Sequence, residues 1–338
     1  PRFAKEQCVS KFMAVFRART MEFVRDRGTL IWNVAFPVLL IFGFSFAFGS
    51  GGESLLTVGV LGEASAQLDL LTLESIESVS YDDLDEAMEK VRFHQIDLLI
   101  DQTQDTYYVN ESSSNGALAQ TLLTAMQPDQ FRQETVTGRA VRYVDWVVPG
   151  LIGMNMMFSG VFGVGFVLVR YRKNGVLKRL KATPVTPLEF VSAQVASRFI
   201  IVIATSVLVF IGTNLALDFM MLGSYLLLLL VTIVAVFCMI SLGLVFATRI
   251  KSEELASGLM NVVILPMVLV SGVFFSLETA PPILRTVSRA FPLTHFVDSA
   301  RMIMLEGAGL AEIAPSFAVL LGFTVVFLVL SSVLFRWE

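Results

Sequence analysis

The chain has 338 residues, 55% hydrophobic and only 16% charged, with a mean hydropathy of +0.71 and a formal net charge of −4. A soluble domain carries about a quarter charged residues, so this composition excludes an ordinary soluble protein and makes a lipid bilayer the natural solvent. Cys8 and Cys238 are too few for a disulfide framework and lie near no histidine in sequence, so they read as packing residues rather than a metal centre; no nucleic-acid partner is expected.

Residues 1–29 are expected to form an N-terminal amphipathic helix at the membrane interface. Phe3, Phe12, Val15, Phe16 and Phe23 recur between basic positions at helical spacing, as in a helix lying in the plane of the bilayer surface. Crossing a hydrocarbon core of about 30 Å takes roughly 20 apolar residues. Six stretches meet that length: Leu30–Phe48, Val147–Val169, Phe199–Leu217 (extendable back to Phe190), Tyr225–Ala247, Leu255–Phe275 and Ile313–Phe335. The first has the basic flank and trailing small residues (Gly49, Ser50, Gly51, Gly52) of a signal peptide, but its length favours an uncleaved anchor, transmembrane helix 1 at residues 30–48.

Residues 49–145 form the only candidate water-soluble domain, with five basic residues against 17 acidic. Apolar runs at 57–61, 78–81, 96–100 and 106–110 interleave with helical patterns at Ala64–Ile76, 82–93 and Gly116–Met126. This predicts a small α/β domain with a mostly parallel or mixed sheet. Asp82 and Glu86 give the second helical pattern an acidic first turn. The domain's acidity fits a solvated surface; it would also attract a cationic substrate. His94 has no ligating neighbours at useful spacing, and Asn110-Glu111-Ser112 fits a glycosylation acceptor, a triplet common by chance.

Orientation follows from the cations. Seven basic residues within 1–29 and six in the connector 170–189 fall on the cytoplasmic side by the positive-inside bias. The acidic domain then lies outside, and six spans return Arg336 to the cytoplasm. The expected fold is an α-helical integral membrane protein with six transmembrane helices and a small α/β extracytoplasmic domain between helices 1 and 2. Residues 146–338 carry helices 2–6, the coupling loop 170–189 and an outer segment at 277–312. In that segment Pro281, Pro282 and Pro292 punctuate apolar runs too short to span, so it is expected to re-enter the outer membrane edge as two short helices that bury Ile283, Phe291 and Phe296.

Small residues recur in the second span, and small side chains let helices approach closely in lipid. Gly150, Gly153, Gly160 and Gly163 are therefore candidate packing positions, against the chain's own helices or a partner. Arg198 reads as a side chain snorkelling to the headgroups, and Asn33, Asn155 and Asn214 as hydrogen-bonders between helices.

No catalytic constellation is found. There is no GxxxxGK[ST] run to cradle a nucleotide, no HExxH or paired CxxC for a metal, and no GxSxG elbow. His295 sits in an apolar PLTHF context that suits helix packing as well as chemistry.

The connector carries the strongest signal. Thr183-Pro184 ends a basic turn, because the residue before proline is pushed out of the helical region, and Pro187 opens the next helix. The short helix between has Val176, Leu177 and Leu180 on an apolar face and Lys178 and Arg179 on a charged one. The run RYRKNGVLKRLKATPVTPLEFVSAQVASR (170–198) resembles the corresponding region of type-2 ATP-binding-cassette (ABC) transporter permeases, with Gly175, Leu177, Leu180, Thr183 and Pro184 at the matching positions. So do VDWVVPGLIGMNMM (144–157) and LPMVLVSGVFFSLETAPPILRTVSRAFPLTHFVDSARMIM (265–304). The match to the large outer domain of some members is looser.

The resemblance implies that the connector docks on a cytoplasmic ATP-binding-cassette ATPase subunit, with Leu177 and Leu180 filling a groove on it. ATP and magnesium would be bound on that subunit and no cofactor by this chain. It further implies a second permease copy, as a homodimer or heterodimer, in the cell (inner) membrane, and an outer re-entrant helix pair. The function so implied is export, without enzymatic activity in this chain; relatives handle drug-like amphiphiles, lipids, polysaccharides and ions, and the aromatic, uncharged spans favour an amphipathic, drug-like or lipid-like substrate. A membrane receptor or assembly scaffold with a ligand-binding outer domain is the alternative, and the short cytoplasmic segments argue against it. A lone basic loop anchored to anionic lipid is the plainer reading of the connector.

Overall fold

The computed structural model describes residues 2–48, 56–62, 69–73, 76–93, 96–111, 113–127, 131–138, 141–248, 250, 252–275, 277 and 280–334. His94, Ser112, the small residues at 49–52 and Arg336 fall outside these. The chain divides into two compact units, Pro1–Phe46 with Val144–Glu338, and Ala47–Tyr143.

In the first unit, helix α1 (Arg2–Arg25) ends one residue before α2 (Arg27–Phe48). Asp26 sits at the break and caps α2, its carboxylate accepting from the Thr29 amide at 3.1 Å and the Thr29 hydroxyl at 2.6 Å.

The second unit is a five-stranded sheet in the order β2-β1-β3-β4-β5. Its strands are β1 (Leu56–Leu61), β2 (Ile76–Tyr81), β3 (Leu98–Asp101), β4 (Thr106–Asn110) and β5 (Arg132–Val136). Pairing is mixed: β1 runs parallel to β2 and β3, β4 antiparallel to β3, and β5 parallel to β4. The helices are α3 (Leu84–Arg92) and α4 (Ser114–Met126), with a 3-10 turn at Asp69–Thr72 in place of part of the expected first helix. One face of the sheet buries Val58, Leu98 and Ile100 under Ala119 and Leu123 of α4; the other buries Leu99 and Tyr108 under Ala87 and Val91 of α3. Alternating faces with a period of two make both layers from the same strands. The α3 cap is Asp83, whose side chain accepts from the Asp85 amide, and Asp85 and Glu86 form the acidic first turn, so Asp82 lies outside the helix. Strand β5 was not expected, because RQETV is exposed at four of its five positions and shows no apolar alternation.

Back in the first unit follow α5 (Tyr143–Lys173), α6 (Val176–Lys181), α7 (Pro187–Leu217), α8 (Tyr225–Ala247), α9 (Glu253–Val270), α10 (Pro282–Ser288), α11 (Pro292–Glu306) and α12 (Leu310–Leu334). Among the described residues six helices, α2, α5, α7, α8, α9 and α12, are long and apolar enough to cross a membrane. Helices α5 and α7 have 31 residues each. At 1.5 Å per residue that is about 46 Å, longer than an upright helix needs to cross a core of about 30 Å. The fifth span is shorter than expected: α9 stops at Val270, and Gly272 takes a positive φ of 71°. At the centre α8 packs against α12, α11 and α7, and α1 lies along α7.

Candidate functional site

The connector is a tight, capped structure. Gly175 has φ 68°, a conformation that favours glycine, and turns the chain out of α5 into α6. Thr183 bonds back to the Leu180 carbonyl at 2.7 Å. Thr186 and Glu189 then form a reciprocal capping box, with Pro187 in the first turn of α7.

Of the residues the sequence singled out here, Lys178, Arg179, Thr183 and Pro184 are exposed and Leu180 is half-buried. Leu177 is only 1% exposed. The pair therefore does not form one outward apolar face, since Leu177 is used by the chain's own packing. The outward apolar residue is Leu188, 79% exposed on the first turn of α7, which periodicity missed because a single leucine after a proline carries no pattern.

This end of the molecule is cross-tied. Lys11 of α1 donates to the Pro184 carbonyl at 3.0 Å, and Thr20 and Ser197 share a hydrogen bond of 2.8 Å. Arg172, just before the turn, donates to the carbonyls of Ala247 at 2.7 Å, Ile250 at 2.8 Å and Thr248 at 3.2 Å, capping the C-terminal end of α8. Lys173 pairs with Glu253 of α9 at 3.4 Å. These contacts tie the connector 170–189 to α1, α8 and α9, and α1 to α7. The inner face of α1, with Phe23 and Arg19 buried, packs on the protein along α7.

Arg198 turns inward, toward α5. It is 6% exposed, donating Nε to the Ser159 carbonyl at 2.8 Å and Nη2 to the Ser159 hydroxyl at 2.7 Å. Its guanidinium fills the space a Gly163 side chain would need. Gly150 abuts Val273, Gly153 abuts Phe296 and Leu293, and Gly160 abuts Met239, so each of the four candidate glycines meets a neighbour in its own chain. Asn33 donates to the Thr29 carbonyl and accepts from Ser159 at 3.1 Å.

Of the outer-segment prolines, Pro282 and Pro292 open α10 and α11, and Pro281 precedes the first. The segment holds two short helices, α10 and α11. Phe296 is 1% exposed, whereas Ile283 is 80% exposed, because α11 packs into the bundle and α10 turns Ile283 outward. His295 holds the Arg289 carbonyl at 2.9 Å and packs on the Phe323 ring, as a packing residue does.

A cavity of about 320 Å³ lies among α5, α7, α8 and α11. Its walls are mainly apolar, including Phe210, Ile211, Leu228 and Phe296. The hydroxyl of Ser206 lines it, 3% exposed and without a hydrogen-bond partner. Ligand pockets commonly combine an apolar lining with a few convergent polar groups, and an orphaned buried hydroxyl calls for a partner.

Residues 27–333 match the family described as ABC-2 family transporter protein. Inner membrane transport permease YhhJ of Escherichia coli K12 is 27% identical over 183 residues, 54% of this chain and 49% of that protein. The chain spans about half the length of the YhhJ proteins it matches. Probable multidrug ABC transporter permease YbhS of the same organism is 23% identical over 355 residues, 94% of this chain and 92% of that one. ABC transporter G family member 20 of Dictyostelium discoideum is 27% identical over 252 residues, 71% of this chain and 34% of that one. On this match, which runs from the first apolar helix to the last, the chain is a multi-pass membrane protein that belongs to the ABC-2 family of transporter proteins.

Proposed function

We propose that this chain is the permease subunit of an ATP-driven exporter that moves an amphipathic, drug-like or lipid-like molecule out of the cytoplasm. A separate cytoplasmic subunit binds ATP and magnesium, a second permease copy completes the pathway, and the α/β unit faces the outside. The observation that carries the reading is the connector: an exposed basic surface tied at once to α1, α5, α8 and α9. A chain without a nucleotide-binding motif needs such a surface to receive work done elsewhere. Relatives named as transport permeases and as a probable multidrug ABC transporter permease support the class, and the apolar cavity at Ser206 suits a substrate that is mostly hydrocarbon with one polar group.

The test is to purify the chain from its native membrane and ask whether a soluble ATPase comes with it. ATP hydrolysis by that complex should rise with hydrophobic amphiphiles and stay flat with sugars or ions. Purification without any ATPase, or hydrolysis indifferent to every amphiphile tried, would contradict the proposal.

A further inference from the structure

A second cavity, of about 360 Å³, opens among α1, α2, α5 and α7. It differs in character from the first. Arg19, Arg170 and Arg198 line it together with Glu22, Asp26 and Asn33. Phe158, Phe162 and Val167 supply an apolar wall, the two phenylalanine rings stacked 6.1 Å apart.

The charges in this cavity do not balance. Glu22 is taken up by Arg19 at 2.8 Å and by the Tyr171 hydroxyl. Asp26 is taken up by Thr29. Among the described residues Arg198 hydrogen-bonds the two Ser159 oxygens, lies over the face of the Phe23 ring, 5.2 Å from its centroid, and makes no ion pair. A guanidinium has five N–H donors, and a cation this deeply buried is costly without a counter-charge. Arg19, 9% exposed, stands beside it, donating to the Gly163 carbonyl at 3.4 Å.

The depth of Arg198 identifies the source of the missing anion. Between Arg198 and the end of α7 at Leu217 lie about 19 residues, or about 29 Å at 1.5 Å each, which is the thickness of the hydrocarbon core. An upright α7 with Leu217 at one edge of the core puts Arg198 at the headgroup level of the opposite leaflet, the one beside the basic connector. A phospholipid phosphate lies at that depth, with its acyl chains below it where the cavity wall is aromatic and aliphatic. Basic pockets between transmembrane helices on the cytoplasmic side recognise anionic headgroups.

We infer that this cavity is a binding site for one anionic phospholipid, its phosphate diester held by Arg198 and Arg19 with Asn33, and its chains laid along Phe158, Phe162 and Val167. The site pins α1 to α5 and α7 and does not depend on what the protein transports.

The test uses the protein purified with whatever subunits accompany it, delipidated and titrated with short-chain phosphatidylglycerol, short-chain phosphatidylcholine or inorganic phosphate, with occupancy read by native mass spectrometry. One phosphatidylglycerol should bind per chain, in preference to phosphatidylcholine. Arg19→Gln and Arg198→Gln should each weaken it at least about tenfold, the usual loss for a charge-assisted contact. Arg132→Gln, in the α/β unit, should leave it unchanged. Should Arg198→Gln fail to fold, Arg19→Gln and Asn33→Leu decide. Equal binding of phosphatidylcholine, undiminished binding by Arg19→Gln, or displacement of the lipid by inorganic phosphate at the same concentration would each overturn the assignment.

Discussion

Gly163 is bare because the Arg198 guanidinium occupies the space its side chain would take. Gly163→Ala must expel Arg198 from Ser159 or move two helices apart, and overpacking of this kind costs about 1–3 kcal/mol. Gly160→Ala would meet Met239 Cβ at 3.1 Å, a contact that small shifts relieve, so it should cost less. Melting of the two variants in detergent measures the difference. At the neighbouring carboxylates, burial raises the Glu22 pKa but the hydrogen bonds from Tyr171 and Arg19 outweigh it and hold it below its ordinary value; the Thr29 hydroxyl and amide hold Asp26 low. Both groups bind protons more readily when unfolded. Their stabilisation is therefore complete above the unfolded carboxylate pKa of about 4 and is lost as pH falls through the lower folded values. The melting temperature should stay level on acidification until about pH 4 and then drop, and Glu22→Gln should shrink that drop.

Helix α6 separates what its sequence reveals from what it conceals. Gly175, the Thr183-Pro184 stop and the Thr186–Glu189 cap are local events, and local chemistry predicts them. Which leucine faces the protein is decided by helices far away in sequence, so the local pattern groups Leu177 with Leu180 although Leu177 is 1% exposed. Burying an unpaired charge there is among the costliest single changes, so Leu177→Asp should lose about 4 kcal/mol or more, seen as poor folding or a low melting point. Leu188→Asp, on an exposed position, should leave melting within about 0.5 kcal/mol of the parent while reducing ATP-driven transport. Equal melting of the two variants would show that the burial pattern is wrong. The same limit explains Arg198: an apolar run counted from Phe199 cannot show that the arginine before it turns inward to Ser159.

Across the whole chain the spans were legible because each is a run of apolar residues longer than any soluble strand or core helix needs, and only their ends moved. The edge strand β5 was not, since RQETV has no apolar face or alternation to mark it. The unit Ala47–Tyr143 has its own two hydrophobic layers, so it should fold as a separate soluble domain, checked by circular dichroism and a cooperative melt. Its side of the membrane is open to a direct check: a cysteine at Gln104, exposed in the β3–β4 turn, should react with an impermeant thiol reagent in intact cells, and one at Ala182 should not. The central claim is that work reaches the spans through the exposed cations of α6. The most direct measurement is ATPase association and substrate export with Lys178→Glu and Arg179→Glu combined. Both side chains are exposed, so insertion and melting should match the parent while association or coupled export is lost; a double variant that keeps its ATPase and exports at the parental rate would contradict the account.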